Sequence, residues 1–136
     1  MIMMIGLKNF IVISAAFLFL FIGCNRVGAQ QAEYRKISAE EAYLMMMSED
    51  DFIILDVRTE EEYVEQRIEG AILIPDTQIR LRAQRVIPDK YRLIFVYCRS
   101  GVRSAASARI LVSLGYVNVY DMGGIIDWNY GTVSGL

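Results

Sequence analysis

The chain has 136 residues, enough for one domain, and 54% of them are hydrophobic. Formal net charge is −2, and Lys8 and Arg26 are the only charged side chains before residue 30, so the remainder is more acidic than the whole and no basic face for nucleic acid is expected. There is no histidine, and the two cysteines are Cys24 and Cys98; this excludes a histidine-based catalytic triad, a Cys-His pair and a Cys/His zinc site, and neither metal nor cofactor is expected.

The front of the chain, MIMMIGLKNFIVISAAFLFLFIGC, reads as an address. Lys8 precedes an apolar run from Phe10 to Ile22. That run is shorter than the ~20 residues of a spanning helix and suits the core of an export signal. Gly23 before Cys24 resembles a bacterial lipoprotein box, which makes residues 1–24 the signal and Cys24 the lipidation candidate. Cleavage after Ala29 is a second reading, an uncleaved membrane anchor that includes Ile2 to Leu7 a third, and a hydrophobic helix packed on the domain a fourth. The export readings place the body at the cell envelope, as a membrane-attached lipoprotein or else a secreted or periplasmic protein. They also account for Cys24 without a disulfide to Cys98.

Residues 25–33 read as a polar linker, 34–130 as the domain and 131–136 as a polar tail after the last packed element. KISAEEAYLMMMS begins a helix, with Ser38 as N-cap and Glu41 completing a capping box; Met45, Met46 and Met47 read as core packing at its end. DFIILDV is a continuous apolar run, as in a strand covered on both faces. TEEEYVEQ is a second capped helix, with Thr59 and Glu62 as its box. GAILIP is a short strand stopped by Pro75, and DTQIRLRAQRVI is helical in period up to Pro88. RLIFVYC is another buried strand, SAASARILVSLG a helix stopped by Gly115, VNVYDMGG a last strand and turn, and IIDW a short closing helix. Strands alternating with helices predict an α/β fold, a largely parallel central sheet flanked by helices. Ligands of such sheets sit at the C-terminal ends of strands. Asp56 and Arg58 follow one such end and Cys98 another.

The stretch after Cys98 carries the chemistry. Residues Arg99 to Ser104, namely Arg99, Ser100, Gly101, Val102, Arg103 and Ser104, can wrap so that backbone N–H groups and the next helix N-terminus point inward at negative charge. Arg99 and Arg103 add positive potential. The expected result is a lowered thiol pKa, a nucleophilic Cys98 thiolate and a cradle for an anion beside it. Gly101 lets the loop turn.

These residues resemble the rhodanese-like domains over nearly all of residues 34–128. ILDVRTEEEYVEQRIEGAILIP is similar to that family's first signature, and YCRSGVRSAASARILVSLGYVNVYDMGGIIDW to its active-site half. The resemblance implies that the Cys98 thiolate takes the sulfane sulfur of a donor such as thiosulfate, holds it as a persulfide and passes it to a thiol or cyanide. It implies that the loop amides cradle the persulfide, that Arg103 orients the anion, and that Asp56 and Arg58 brace the loop. The partners expected are a small sulfur-containing anion, a thiol acceptor and, through the N-terminal segment, the membrane. One departure is Gln66-Arg67, where many relatives have Gly-His. A phosphatase or arsenate reductase is a rival, but tyrosine-phosphatase-like loops hold five residues between Cys and Arg, and here there are four. A non-catalytic persulfide carrier or partner-binding module is the other rival.

Overall fold

The computed structural model describes residues 33–135. The export signal, Cys24, the Ala29 cleavage site, nearly all of the linker and Leu136 lie outside the described residues. Among the described residues, no helix is long and apolar enough to cross a membrane.

The elements in chain order are β1 (Arg35–Lys36), α1 (Ala39–Ser48), β2 (Phe52–Asp56), α2 (Glu60–Glu65), β3 (Ile72–Leu73), a 3-10 turn (Asp76–Gln78), α3 (Ile79–Val86), β4 (Leu93–Cys98), α4 (Val102–Ser113), β5 (Val119–Gly124) and a second 3-10 turn (Ile125–Asp127). The strands form one sheet in the order β1-β5-β4-β2-β3, every pair parallel. From β2 the chain moves outward to β3; from β4 it moves the other way to β5. The crevice beyond the ends of β2 and β4 is therefore the switch point at which such sheets take ligands. Asp56 and Cys98 end those two strands.

The period-two alternation of β4 decides where Cys98 points. Ile94, Val96 and Cys98 pack in one core with Leu55, Ile79, Ala83, Ala108 and Leu111, against α3 and α4. Phe95 and Tyr97 pack in the other with Ala42, Ile54, Ile68, Met122 and Ile125. Cys98 thus faces α4, and Tyr97 faces away from it. Both predicted capping boxes form: Ser38 with Glu41, and Thr59 with Glu62. Each satisfies helix donors that lack intrahelical partners.

Five local expectations change. β1 was not expected: it is two exposed residues, too short for any periodic signal. The expected strand GAILIP shrinks to Ile72–Leu73, and the helix expected over DTQIRLRAQRVI opens with a 3-10 turn before α3. Met45 and Met46 pack against the second core, but Met47 is 71% exposed. The tail is not free of the fold. Val133 and Arg67 exchange backbone hydrogen bonds, the Gly135 N–H donates to the Val64 carbonyl, and Gln66 Nε2 donates to Thr132 Oγ1. Gln66-Arg67 is the segment to which the tail is pinned.

Candidate active site

Cys98 ends β4 with 1% of its surface exposed, and the chain then turns into α4 within three residues. Gly101 makes that turn at φ 99°, a left-handed conformation that side chains disfavour. The turn brings the Gly101 N–H to 3.0 Å from Cys98 Sγ. The Ser104 hydroxyl lies 3.7 Å from the sulfur on the other side. Burial raises the thiol pKa, but the Ser104 amide and hydroxyl and the Gly101 and Ser100 amides outweigh it, so the thiol lies below its ordinary value.

The two arginines of the loop sit in different surroundings. Arg103 makes a bidentate pair with Glu62 of α2, at 2.7 and 2.8 Å, so its charge is matched by a carboxylate rather than left open to the loop. The donors on the sulfur are backbone amides and one hydroxyl, and the Arg103 charge, though paired with Glu62, also interacts through space with Cys98. The Glu62 pair also explains a cation in the first turn of a helix, where the helix dipole disfavours one. Arg99 is exposed, and among the described residues its guanidinium makes no ion pair. Val102 is 77% exposed. Ser100, Gly101 and Ser104 are therefore brought to Cys98 as hydrogen-bond partners, whereas among the described residues the side chains of Arg99, Val102 and Arg103 make no hydrogen bond to it.

Asp56 and Arg58 form a buried unit beside the loop. Asp56 accepts from Arg58 N, Nε and Nη2 at 2.9, 3.0 and 2.6 Å, and from the Tyr97 hydroxyl at 2.5 Å. Arg58 Nη2 also donates to the Gln66 carbonyl, and the Ile68 N–H donates to the Tyr97 oxygen. The unit ties the end of β2 to the residue before Cys98 and to the 66–68 turn. A cleft of about 350 Å³ lies alongside, lined by Arg58, Glu62, Glu65, Gln66, Arg99, Ile125 and Ile126.

Sequence reading missed the roles of Glu62, Tyr97, Asp121 and Gly124. Glu62 was already explained by its capping box. Asp121 carried a faint signal, an acid inside a buried strand. The Gly124 backbone packs so closely on the loop that a Cβ there would stand 2.7 Å from Ser100 Cα and closer still to the Arg99 carbonyl. Gly124→Ala is expected to push the loop off Cys98 and to cost about 1–3 kcal/mol through overpacking. Denaturant melts would show the cost, and the rate of Cys98 alkylation would fall as its amide donors move away.

The Arg103 hydrogen bonds hold the Glu62 carboxyl at about 2, against an ordinary 4.5; burial opposes them and the Thr59 amide assists. A depressed acid contributes stability that is present above 4.5 and lost as pH falls towards 2. Glu62→Gln should therefore lower the neutral-pH melting temperature, by an amount equivalent to about 1 kcal/mol after solvent screening. The gap from the parent should close between those two pH values. A gap that stayed constant with pH would exclude the charge pair as its source.

A parallel α/β sheet that presents a thiolate-stabilising cysteine loop at its switch point defines a sulfur-nucleophile enzyme. The chain belongs to the rhodanese-like domain family, whose sequence model matches residues 38–130. It is 36% identical over 81 residues to the thiosulfate sulfurtransferase PspE of Escherichia coli, covering 60% of this chain and 78% of that one. It is 32% identical to a sulfurtransferase of Allochromatium vinosum over 68% of this chain and 86% of that one. Among solved structures, a rhodanese with anions from E. coli superposes with a TM-score of 0.58 at 35% identity, covering 61% of this chain and 98% of that one. The chain is a sulfurtransferase-like enzyme by family and fold.

Proposed function

We propose that the chain transfers a sulfane sulfur from thiosulfate, or a donor of the same chemistry, to a thiol or cyanide through a persulfide on Cys98. The observation that carries this is the set of donors around Cys98 Sγ, the Gly101, Ser100 and Ser104 amides and the Ser104 hydroxyl, which favours the thiolate in a chain without histidine. The thiolate attacks the outer sulfur of thiosulfate. The new S–S bond forms as the old one breaks, and sulfite leaves with the electron pair. The acceptor then attacks the outer persulfide sulfur and returns Cys98 as thiolate. The amides that faced the thiolate face the persulfide charge in turn. Exposed Arg99, on the cleft wall, is the cation offered to an approaching anion. Two similarities support the reading: the E. coli relative is named a thiosulfate sulfurtransferase, and the similar E. coli rhodanese was solved with anions. The four residues between Cys98 and Arg103 make a tighter cradle than a phosphatase loop and suit a sulfur atom.

Intact mass after thiosulfate treatment tests the first half-reaction. One added sulfur atom that a reductant removes is expected. Absence of the gain on a free Cys98 would reject thiosulfate as donor, and a gain without turnover on added cyanide would favour a carrier.

For location, we propose the cell envelope, on the apolar run from Phe10 to Ile22 and the Gly23-Cys24 pair. Mass spectrometry of the mature N-terminus should find a lipidated Cys24. A mature chain that begins at Gln30 without lipid would rule out the lipoprotein form.

A further inference from the structure

The sheet separates two helical sides of opposite charge. α3 and α4 pack on one side of it, through Ile79, Ala83, Ala108 and Leu111. These two helices carry arginines and no acid. α1 and α2 pack on the other side, through Ala42 and Tyr63. They carry glutamates and no base. The net charge of −2 is therefore an average that conceals a basic side and an acidic one.

The basic side carries a leucine at its outermost point. Ile79, Ala83 and Ile87 are buried at a spacing of four, which marks the inner face of α3. Leu81 lies two residues from both Ile79 and Ala83, on the opposite face, and is 84% exposed. Arg80 and Arg82 flank it, and Arg85 stands beside it one turn on. Among the described residues none of these three arginines pairs with a carboxylate. Arg82 donates to Gln78 Oε1 one turn back, and residues 79–88 contain no acid. On α4, Arg103 is committed to Glu62 and Arg109 lies over the Tyr34 ring. The uncommitted charge of the two helices is thus gathered around Leu81.

A single exposed leucine is ordinary. One set among unpaired arginines has the pattern of a helix that lies on a membrane surface. The apolar centre enters the acyl boundary, the arginine stems cover that boundary, and the guanidinium forks reach lipid phosphates. The segregated charge turns this side towards an anionic surface and the glutamates away from it. A nucleic acid would pair the arginines but leave Leu81 in water. The apolar run from Phe10 to Ile22 favours a bilayer over an acidic protein, because an anchored domain meets its bilayer at high effective concentration, where a weak surface suffices.

We propose that the outer face of α3, with Leu81 set among Arg80, Arg82 and Arg85, docks this domain on an anionic lipid bilayer. Docking turns α3 and α4 to the lipid and α1 and α2 to water. The inference takes its setting from the envelope reading and is independent of sulfur transfer.

Trp128 is the one tryptophan of the chain, so added tryptophans can be followed by fluorescence. The full chain is reconstituted into vesicles of brominated phosphatidylcholine, with or without phosphatidylglycerol, as the parent, Leu81→Trp and Leu44→Trp. Leu44, 60% exposed on α1, is the control on the acidic side. Both positions are open to solvent, so the fold should accept tryptophan there. In anionic vesicles the bromines should quench Leu81→Trp more than the parent, and in neutral vesicles the two should match. The excess should vanish at about 1 M salt, where the screening length is ~3 Å. Replacing Arg80, Arg82 and Arg85 by glutamine in Leu81→Trp should lower the docked-to-free ratio about fivefold per arginine. Leu44→Trp should follow the parent throughout. An equal excess in neutral and anionic vesicles overturns the proposal, as does an excess as large for Leu44→Trp. So does no excess in either vesicle, the result expected if this face takes an acidic protein instead. A mature chain that begins at Gln30 without lipid would overturn the lipoprotein form and leave this measurement standing.

Discussion

Cys98→Ser is expected to abolish sulfur transfer and to leave the fold in place. A serine hydroxyl ionises far above neutral pH, so the donors that bring a thiol into range leave it protonated. It also cannot form a persulfide. The fold should tolerate the change because serine is close to cysteine in size, and its oxygen can accept from the Gly101 N–H that now donates to Sγ at 3.0 Å. A stability change within about 1 kcal/mol is expected. The measurements are thiocyanate release from thiosulfate and cyanide, and a denaturant melt. Loss of release to the uncatalysed level with an unchanged melt assigns the chemistry to Cys98. Release within tenfold of the parent would remove Cys98 from the mechanism. The rate of the parent should also fall as pH drops through the lowered thiol pKa, because the thiolate is then lost.

Asp56→Ala is expected to produce the largest loss of stability. Asp56 is fully buried, and the Arg58 side chain paired with it is 5% exposed. Removing the carboxylate strands a buried guanidinium and leaves the Tyr97 hydroxyl without its acceptor. Breaking a buried pair from one side costs about 3–5 kcal/mol. That is a large share of the ~5–15 kcal/mol by which domains are stable. Denaturant unfolding of the full chain would measure it, with Asp56→Asn as the shape-matched control. A loss below about 1 kcal/mol would show that the unit is solvated and does not brace the loop. Activity should fall with stability, because Tyr97 precedes Cys98 on the same strand.

The fold and the nucleophile were legible because their signals are local. The apolar runs of β2 and β4 mark buried strands, and the boxes of Ser38 with Glu41 and Thr59 with Glu62 span three residues each. The Cys98 loop joins a strand end to a helix start within six residues, so its amides could be placed before the sheet was known. The limits of that reading are equally physical. Arg103 looked like an open cation because its partner Glu62 lies 41 positions away. Ser104 looked like a loop donor only, because Asp121, whose carboxylate accepts from its hydroxyl, sits on β5. β1 pairs with β5 through two exposed residues, and the tail pairs with Arg67 through backbone; neither leaves a pattern in side-chain types.

Sequence alone determined the types of the longer elements, the position of the cysteine loop and the backbone amides that face its sulfur. These depend on hydrophobic period, capping and turn chemistry, all set within a few residues. Only the tertiary structure decided which carboxylate faces which donor: Glu62 on Arg103, Asp56 on Tyr97 and Asp121 on Ser104. Those choices follow from strand order and register, and a sequence pattern carries the period of a strand but not the identity of its neighbours.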